Sequence, residues 1–355
     1  MDENEILEKL FQSLKITKEI RKRSKLSSNG NILYLNLSGL GLTTVPEEIK
    51  NFTCLTRLIL SNNRLSNIPE WINVFEDLEH LEIQRNSIKN LPTSLGDNLW
   101  LESLISYSNN LITIPKSFGK LQRLRNLYLY KNNISTLPNE MCKLTNLEEL
   151  LLQNNNLNQL PENFGDLKSL MELDLSNNTL NFLPDSLQYL ENIERINLEN
   201  NKLSKIPNLS NLTKLSRLIL SNNPLEKNVE ILSPLLEIES LNIVYFDNTP
   251  LGTLFSKPNV WLNSSRDELE KFLFSDQIEN YIVPITDEKS LIDLIPTKNS
   301  TFVSQGRKKL RYHIKNPTTE KSYCGRCFTK EKFIKTQFTL LCKSCKRNHL
   351  KQKEG

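Results

Sequence analysis

Apolar and polar residues alternate through the middle of this chain in a phrase that returns every 23 residues. The phrase reads LxxLxLxxNxLxxLPxxLxxLxx, as in LTRLILSNNRLSNIPEWINVFED, which begins at Leu55. Nine consecutive copies, with one 22-residue unit before the last, start at Ile32, Leu55, Leu78, Leu101, Leu124, Leu147, Leu170, Ile193 and Leu215. This period predicts a solenoid, because one such unit cannot bury its own apolar side chains and needs stacked neighbours.

Each repeat predicts a short strand, a turn and a helical segment. Alternation within Leu58-Ile59-Leu60 places the two leucines in the core and Ile59 outside, in parallel strands stacked about 4.8 Å apart. Proline fixes the backbone angle φ where the chain turns onto the convex side of the solenoid. An asparagine that can satisfy buried backbone groups recurs in eight repeats, at Asn63, Asn86, Asn109, Asn132, Asn155, Asn178, Asn201 and Asn223.

The 23-residue unit with its LPxxL signature resembles the intracellular leucine-rich repeat class of Ras-suppressor and Scribble-type scaffold proteins. The resemblance covers residues 32–243. It implies an α/β right-handed horseshoe with parallel strands on the concave face. It also implies a cytosolic adaptor whose partners include small GTPases and phosphatases. The shared motif residues are structural, so no functional residue is transferred from the family.

The pattern divides the chain into five parts. Residues 1–31 predict an N-terminal helical cap with Ile6, Leu7, Leu10, Phe11 and Leu14 on one face. Residues 32–243 hold nine repeats, and 244–296 predict a C-terminal cap and short helices. Residues 297–322 are polar and predict a linker. Residues 323–355 predict a small basic zinc knuckle.

The outward strand positions predict a binding surface on the concave face. Central repeats gather apolar and phenolic side chains there, a composition favoured at binding hot spots, namely Ile105, Tyr107, Tyr128, Tyr130 and Leu151. An acidic rim of Glu149, Glu172 and Asp174, with Glu199 beyond it, borders this patch. We expect a protein or peptide ligand with an apolar anchor and basic residues toward the C-terminal repeats. The alternative is that aromatic residues simply suit strand geometry.

Four cysteines near the C-terminus have the spacing of a metal site. Cys324 and Cys327 form one CxxC pair, and Cys342 and Cys345 form another after fourteen intervening residues. Two such pairs can hold Zn²⁺ tetrahedrally, and no nearby acid or histidine clearly leaves an open catalytic position, which predicts a structural zinc. Redox-active or coincidental cysteines are the alternatives.

The tail differs in charge from the rest of the chain. Residues 306–355 carry 15 Lys and Arg against 3 acidic residues. The whole chain is only +4, so residues 1–305 are net negative. Such asymmetry indicates contact with a polyanion: nucleic acid, an anionic membrane surface or the protein's own acidic repeats. The alternative is a solvated basic end in a lysine-rich chain.

No catalytic motif and no apolar stretch of membrane-spanning length occurs in the sequence. We therefore expect a non-enzymatic scaffold or adaptor in intracellular signalling. The lack of an N-terminal secretory signal favours the cytoplasm, with the nucleus as the alternative. A different function would be that of a nucleic-acid-associated protein working through its zinc knuckle. A ubiquitin-ligase substrate adaptor is a third reading, supported only by the general architecture.

Overall fold

One sheet of eleven strands runs through the part of the chain that the structure describes, each strand pairing with its sequence neighbours. The computed structural model describes residues 2–15, 20–227, 234–235 and 237–254, with strands at 300–304, 310–315 and 322–323. The strands of the sheet are β1 Ser24–Leu26, β2 Ile32–Asn36, β3 Arg57–Ile59, β4 His80–Glu82, β5 Ser103–Ile105, β6 Asn126–Tyr128, β7 Glu149–Leu151, β8 Glu172–Asp174, β9 Arg195–Asn197, β10 Arg217–Ile219 and β11 Ile243–Tyr245.

Strands β2 to β11 are parallel and aligned without slippage, as the repeat predicts. The middle residue of each strand faces the middle residue of the next, so Leu104, Leu127, Leu150 and Leu173 form one continuous row. Each of these leucines is at most 1% exposed. The core therefore consists of rows that cross repeats, and no single repeat encloses it.

The eight asparagines that recur in the repeats, which we call the ladder asparagines, join each repeat to the one before it. The Asn132 amide donates to the carbonyls of Leu129 at 2.8 Å and Ser106 at 3.0 Å, and its oxygen accepts from the Leu111 N–H at 3.0 Å. Asn132 is only 7% exposed. The same three kinds of bond recur at the other seven ladder positions, as for Asn63 and Asn223. The predicted structural role is confirmed.

Short 3-10 helices follow the strands on the opposite side, most of them directly after a proline in extended conformation. Apolar side chains in these helices and just after them belong to the core, such as Ile72 and Phe75, which are both fully buried. The segments span Glu47–Asn51, Glu70–Val74, Thr93–Asp97, Lys116–Lys120, Asn139–Lys143, Phe164–Asp166, Asp185–Tyr189 and Leu251–Leu254.

The N-terminal cap combines two helices and an antiparallel strand. Helices α1 Glu3–Ser13 and α2 Ile20–Arg23 precede β1, which pairs antiparallel with β2. Helix α1 buries Ile6, Leu7, Leu10 and Phe11, and the Glu3 carboxylate accepts from the Ile32 N–H at 2.6 Å. Strand β1 covers the edge that β2 would otherwise leave unpaired.

The repeat sheet extends beyond the boundary predicted at residue 243. Strand β11 pairs in parallel with β10, with Arg217 aligned to Ile243. The spacing between these two aligned residues is 26 and breaks the 23-residue period, which is why the sequence pattern stops short of this strand. A tenth unit thus follows the nine that were predicted.

Residues 265–355 form a second unit, in which the structure describes three strands. They are β12 Ser300–Ser304, β13 Leu310–Lys315 and β14 Ser322–Tyr323, paired antiparallel in that order. They lie within or at the edge of the range predicted as a linker, so the structure differs from that prediction. The sequence LRYHIK does alternate apolar and polar residues, which is a strand pattern. The predicted zinc knuckle, at 323–355, lies outside the described residues except for Tyr323.

Replacing one ladder asparagine should destabilise the solenoid. In Asn132→Ala, the buried Leu111 N–H loses its partner, and the carbonyls of Ser106 and Leu129 each lose one of two amide donors, which should lower the free energy of unfolding by about 1–3 kcal/mol. The exposed neighbour in Asn133→Ala should change it by less than about 0.5 kcal/mol. Urea unfolding followed by circular dichroism measures both. Equal stability of the two variants would contradict a structural role for the ladder.

Candidate protein-binding surface

The outer face of the sheet carries the side chains that alternate with the buried leucines. On β5 to β8 the central leucine is buried, and the last residue of each strand is partly exposed on the opposite side. The register aligns Ile105, Tyr128, Leu151 and Asp174 in one row, and Glu149 with Glu172 in a second. The structure therefore brings the predicted strand residues together.

Two tyrosines just beyond the strands form a stacked pair. The rings of Tyr107 and Tyr130 lie 4.3 Å apart between centroids, with 7° between their planes. The Arg85 guanidinium lies 5.9 Å from the centroid of the Tyr107 ring. Because Arg85, Tyr107 and Tyr130 come from three successive repeats, Arg85 and Tyr130 flank Tyr107 from opposite sides. Stacking fixes both phenol groups in place at little further cost in side-chain entropy.

Together Ile105, Tyr107, Tyr128, Tyr130 and Leu151 form what we call the tyrosine patch. All five side chains are partly exposed. A patch of rigid aromatic and aliphatic groups on an open sheet face has the composition of a binding hot spot.

The acidic rim is paired within the molecule. The Tyr128 hydroxyl donates to a Glu149 carboxylate oxygen. Glu172 binds the Arg195 guanidinium at 2.5 Å. Asp174 accepts from the Ser176 N–H at 2.9 Å and from the Asn197 amide at 3.3 Å. The sequence places these carboxylates correctly but does not reveal their partners, so the rim attracts cations less than its formal charge suggests.

The environment of the patch shifts the acidity of two phenols. Burial, followed by the hydrogen bond to Glu149 and the nearby carboxylates, raises the pKa of Tyr128. Burial, followed by interaction with Tyr107, raises the pKa of Tyr130, while Arg85 acts in the opposite direction. Both phenols are therefore neutral hydrogen-bonding groups at physiological pH.

Two glutamines border the tyrosine pair in the neighbouring repeats. Gln84 precedes Tyr107 by one repeat, and Gln153 follows Tyr130 by one repeat. The side-chain oxygen of each is buried and has no hydrogen-bond partner in the described protein. Such an atom is costly to bury unpaired. Both glutamines hold the same position in their repeats as the two tyrosines hold in theirs. This shared position indicates that the glutamines belong to the same surface.

A second exposed aromatic group lies where the sequence predicted no site. Trp100 is 45% exposed, the neighbouring Leu99 is 54% exposed, and the Arg123 guanidinium lies 3.4 Å from the centroid of the Trp100 ring. These residues precede the strands, outside the rows used to predict the patch. The sequence does contain a signal for this group. A position that is polar in later repeats, as at Asn146 and Asn192, holds a tryptophan here.

The described cysteines behave as structural residues. Burial raises the pKa of the Cys142 thiol to about 12, so Cys142 stays a neutral thiol. Cys54 accepts from the Asn31 amide at 3.2 Å. The described residues hold no group of His, Cys, Asp or Glu suited to a metal ion. The four cysteines of the predicted zinc site lie outside the described residues.

Comparison with known proteins places the chain in a family. A model described as a leucine-rich repeat region matches residues 114–294, and a single leucine-rich repeat model matches residues 54–75. The first match spans just over half of the chain, so the protein belongs to the leucine-rich repeat family. Proteins of this family are generally non-enzymatic interaction modules. A comparison with curated proteins gives no match.

Solved structures give the same fold. A leucine-rich repeat protein of Leptospira interrogans is 29% identical, with a TM-score of 0.56 and 67% of each chain covered. The ectodomain of the plant receptor kinase GASSHO1/SCHENGEN3 from Arabidopsis thaliana, in complex with CASPARIAN STRIP INTEGRITY FACTOR 2, is 28% identical with a TM-score of 0.58. That match covers 66% of this chain and only 30% of the receptor chain. An internalin of Listeria monocytogenes, 21% identical over 58% of this chain and 65% of its own at a TM-score of 0.50, shares the fold alone.

The search for membrane spans within the described residues finds no helix long and apolar enough to cross a bilayer.

The Tyr128 phenol should titrate later than an ordinary tyrosine. Its pKa is raised in the folded state, so the neutral phenol stabilises the fold below about pH 10, and this contribution is lost as pH rises through the folded pKa. Removing the carboxylate in Glu149→Gln should bring the pKa closer to its ordinary value. The ¹³Cζ chemical shift of labelled tyrosine measures it. An ordinary pKa for Tyr128 in the unchanged protein would contradict the hydrogen bond to Glu149.

Proposed function

We propose that this protein is a scaffold or adaptor that binds an extended segment of a partner protein on the tyrosine patch. The observation that carries the proposal is the stacked Tyr107–Tyr130 pair beside exposed apolar strand residues. Rigid aromatic groups gain affinity because little conformational freedom is lost on binding. The leucine-rich repeat fold is typical of protein–protein interaction modules, and the plant receptor compared above is in complex with a named factor.

The cellular setting is part of the same proposal. The LPxxL repeat of 23 residues resembles the Ras-suppressor and Scribble-type class, which favours a role in intracellular signalling in the cytoplasm or nucleus. A small GTPase or a phosphatase is the partner type that this resemblance suggests. No catalytic motif in the sequence supports an enzyme activity.

Removing the tyrosine pair should weaken partner binding strongly without unfolding the protein. We expect Tyr107→Ala/Tyr130→Ala to weaken partner affinity by about 30-fold or more, as for a hot-spot pair. Tyr189→Ala is the matched control, because Tyr189 is 52% exposed on a 3-10 helix away from the patch. Partners captured on the unchanged protein would be purified, and their dissociation constants measured against all three proteins. Equal affinities would refute the patch as the binding site.

The C-terminal cysteines support a second element of the proposal, a structural zinc ion. Four thiolates in two CxxC pairs, Cys324 with Cys327 and Cys342 with Cys345, match the soft donor set that Zn²⁺ prefers. Zinc bound there would hold together a short segment with few apolar residues of its own. The neighbouring positive charge favours contact with an anionic surface.

The purified protein should contain one zinc ion per chain. Cys324→Ser/Cys342→Ser removes one thiolate from each pair and should abolish zinc binding, while Cys54→Ser/Cys142→Ser should leave it intact. Elemental analysis by inductively coupled plasma mass spectrometry measures the content after dialysis. Full zinc content in the first variant would refute the assignment.

The alternative function, contact with RNA or DNA through the basic tail, rests on the 15 Lys and Arg among residues 306–355. Nucleic-acid binding through phosphate contacts weakens steeply with salt and would require these basic residues. A salt titration of nucleic-acid binding by the full chain, with and without these residues, separates the two functions.

A further inference from the structure

The residues that leave the strands of repeats 2 to 5 form a surface with one sign of charge. We define this exit surface as residues 61–68, 84–91, 107–114 and 130–137, which begin at the row containing the two tyrosines. It contains Arg64, Arg85, Lys89 and Lys131 and no aspartate or glutamate. The equivalent residues of repeats 6 and 7, at 153–160 and 176–183, carry no charge. Those of repeat 8, at 199–206, carry Lys202 and Lys205 beside Glu199, so cations without any carboxylate are confined to the repeats around the tyrosine pair.

These four cations are exposed and have no ion-pair partner in the described protein. In contrast, three arginines at the start of the strands are ion-paired: Arg57 with Glu82, Arg125 with Glu148 and Arg195 with Glu172. The two ends of the strands thus differ in whether their charged side chains are already ion-paired. Glu82, Glu148 and Glu172 are therefore held in ion pairs, while the cations at the exit have no carboxylate partner and are available to a binding partner.

The backbone of the exit surface accepts strain to hold these side chains. One residue per repeat takes a left-handed conformation there, and it is asparagine in most repeats, as at Asn62 and Asn154. Repeats 3 to 5 instead carry Arg85, Ser108 and Lys131 at φ values of 56°, 53° and 54°. Asparagine tolerates this conformation better than arginine, serine or lysine. Three adjacent departures beside the tyrosine pair indicate that the side chains serve binding and not folding.

The geometry favours a carboxylate ligand over a nucleobase. Tyr107 has Tyr130 stacked on one face and the Arg85 guanidinium over the other, so a base could stack on this ring only by displacing Arg85. What the surface offers outward is the guanidinium N–H groups of Arg85, the ammonium group of Lys131 and the serine hydroxyl of Ser108. Charged N–H donors of this kind make strong hydrogen bonds to anionic oxygens, which a protein partner supplies as the carboxylates of Asp and Glu.

We propose that the partner segment bound on the tyrosine patch is acidic where it crosses repeats 3 to 5. This inference rests on the proposed function and gives its ligand a chemical class. Arg85 and Lys131 stand two repeats apart, which is about 10 Å at the usual strand spacing. A peptide in polyproline II conformation rises about 3.1 Å per residue with three residues per turn, so side chains three positions apart share one face and lie about 9 Å apart. The segment therefore carries two Asp or Glu residues about three positions apart, next to an apolar residue that packs on the patch.

A displayed library of random peptides, selected on the full-length chain, tests the inference. The enriched peptides should carry Asp or Glu pairs with this spacing, and Tyr107→Ala/Tyr130→Ala should not select them. Enrichment of neutral or basic peptides that still requires the tyrosines would overturn the acidic ligand and leave the binding site standing. Selection of the same peptides by the tyrosine variant would overturn the proposed function and this inference with it.

A charge-neutral variant provides the quantitative test on one enriched acidic peptide. Arg85→Asn/Lys131→Asn installs the residue that most repeats carry at this position, so it should keep or raise the melting temperature. It should weaken peptide binding about tenfold or more, measured by fluorescence anisotropy. Lys143→Asn/Lys202→Asn removes the same charge from exposed lysines elsewhere and should change affinity less than about twofold. Equal loss in both double variants would show a net-charge effect only and overturn the inference.

Discussion

Stacking of the repeats depends on a side-chain amide that pairs backbone groups of two neighbours at once. Asn132 links its own repeat to the carbonyl of Ser106 and the N–H of Leu111 in the repeat before. These groups lie in a turn with no strand to pair them, and water does not reach them. In the first and last repeats another residue takes the place of this asparagine. The first repeat has Leu40 at this place, and the last described one has Thr249, whose hydroxyl donates to the Phe246 carbonyl and accepts from the Gly252 N–H, both in its own unit.

Because the ladder and the leucine rows fix the inward positions, the outward positions are free to vary without loss of fold. Repeats 3 to 6 use that freedom together. Gln84, Tyr107, Tyr130 and Gln153 occupy one position in four successive repeats. In the same repeats the left-handed residue departs from asparagine three times in succession. Stability is reduced locally where the surface is most specialised, as expected when a binding surface is built onto a repetitive scaffold.

The sequence predicted whatever follows from a strict period. The strand row of Ile105, Tyr128 and Leu151 could be placed because parallel strands one period apart align residue for residue. Features that break the period could not be placed, such as β1, which reverses direction, and β11, which follows a longer unit. The pairing of Glu149 with Tyr128 was also out of reach, because it depends on side-chain conformations that no period encodes.

The net charge of residues 1–305 is negative, whereas the local charge of the exit surface is positive. The distance between the partner and this surface determines which of the two charges the partner experiences. Residues 1–305 are net negative and therefore repel an acidic segment at long range. At physiological ionic strength that repulsion is screened beyond about 8 Å, so it acts weakly during encounter. At contact the unpaired Arg85 and Lys131 dominate, since the nearby Glu149 and Glu172 are held by Tyr128 and Arg195. An acidic ligand is therefore selected after encounter, through slower dissociation and not through faster association.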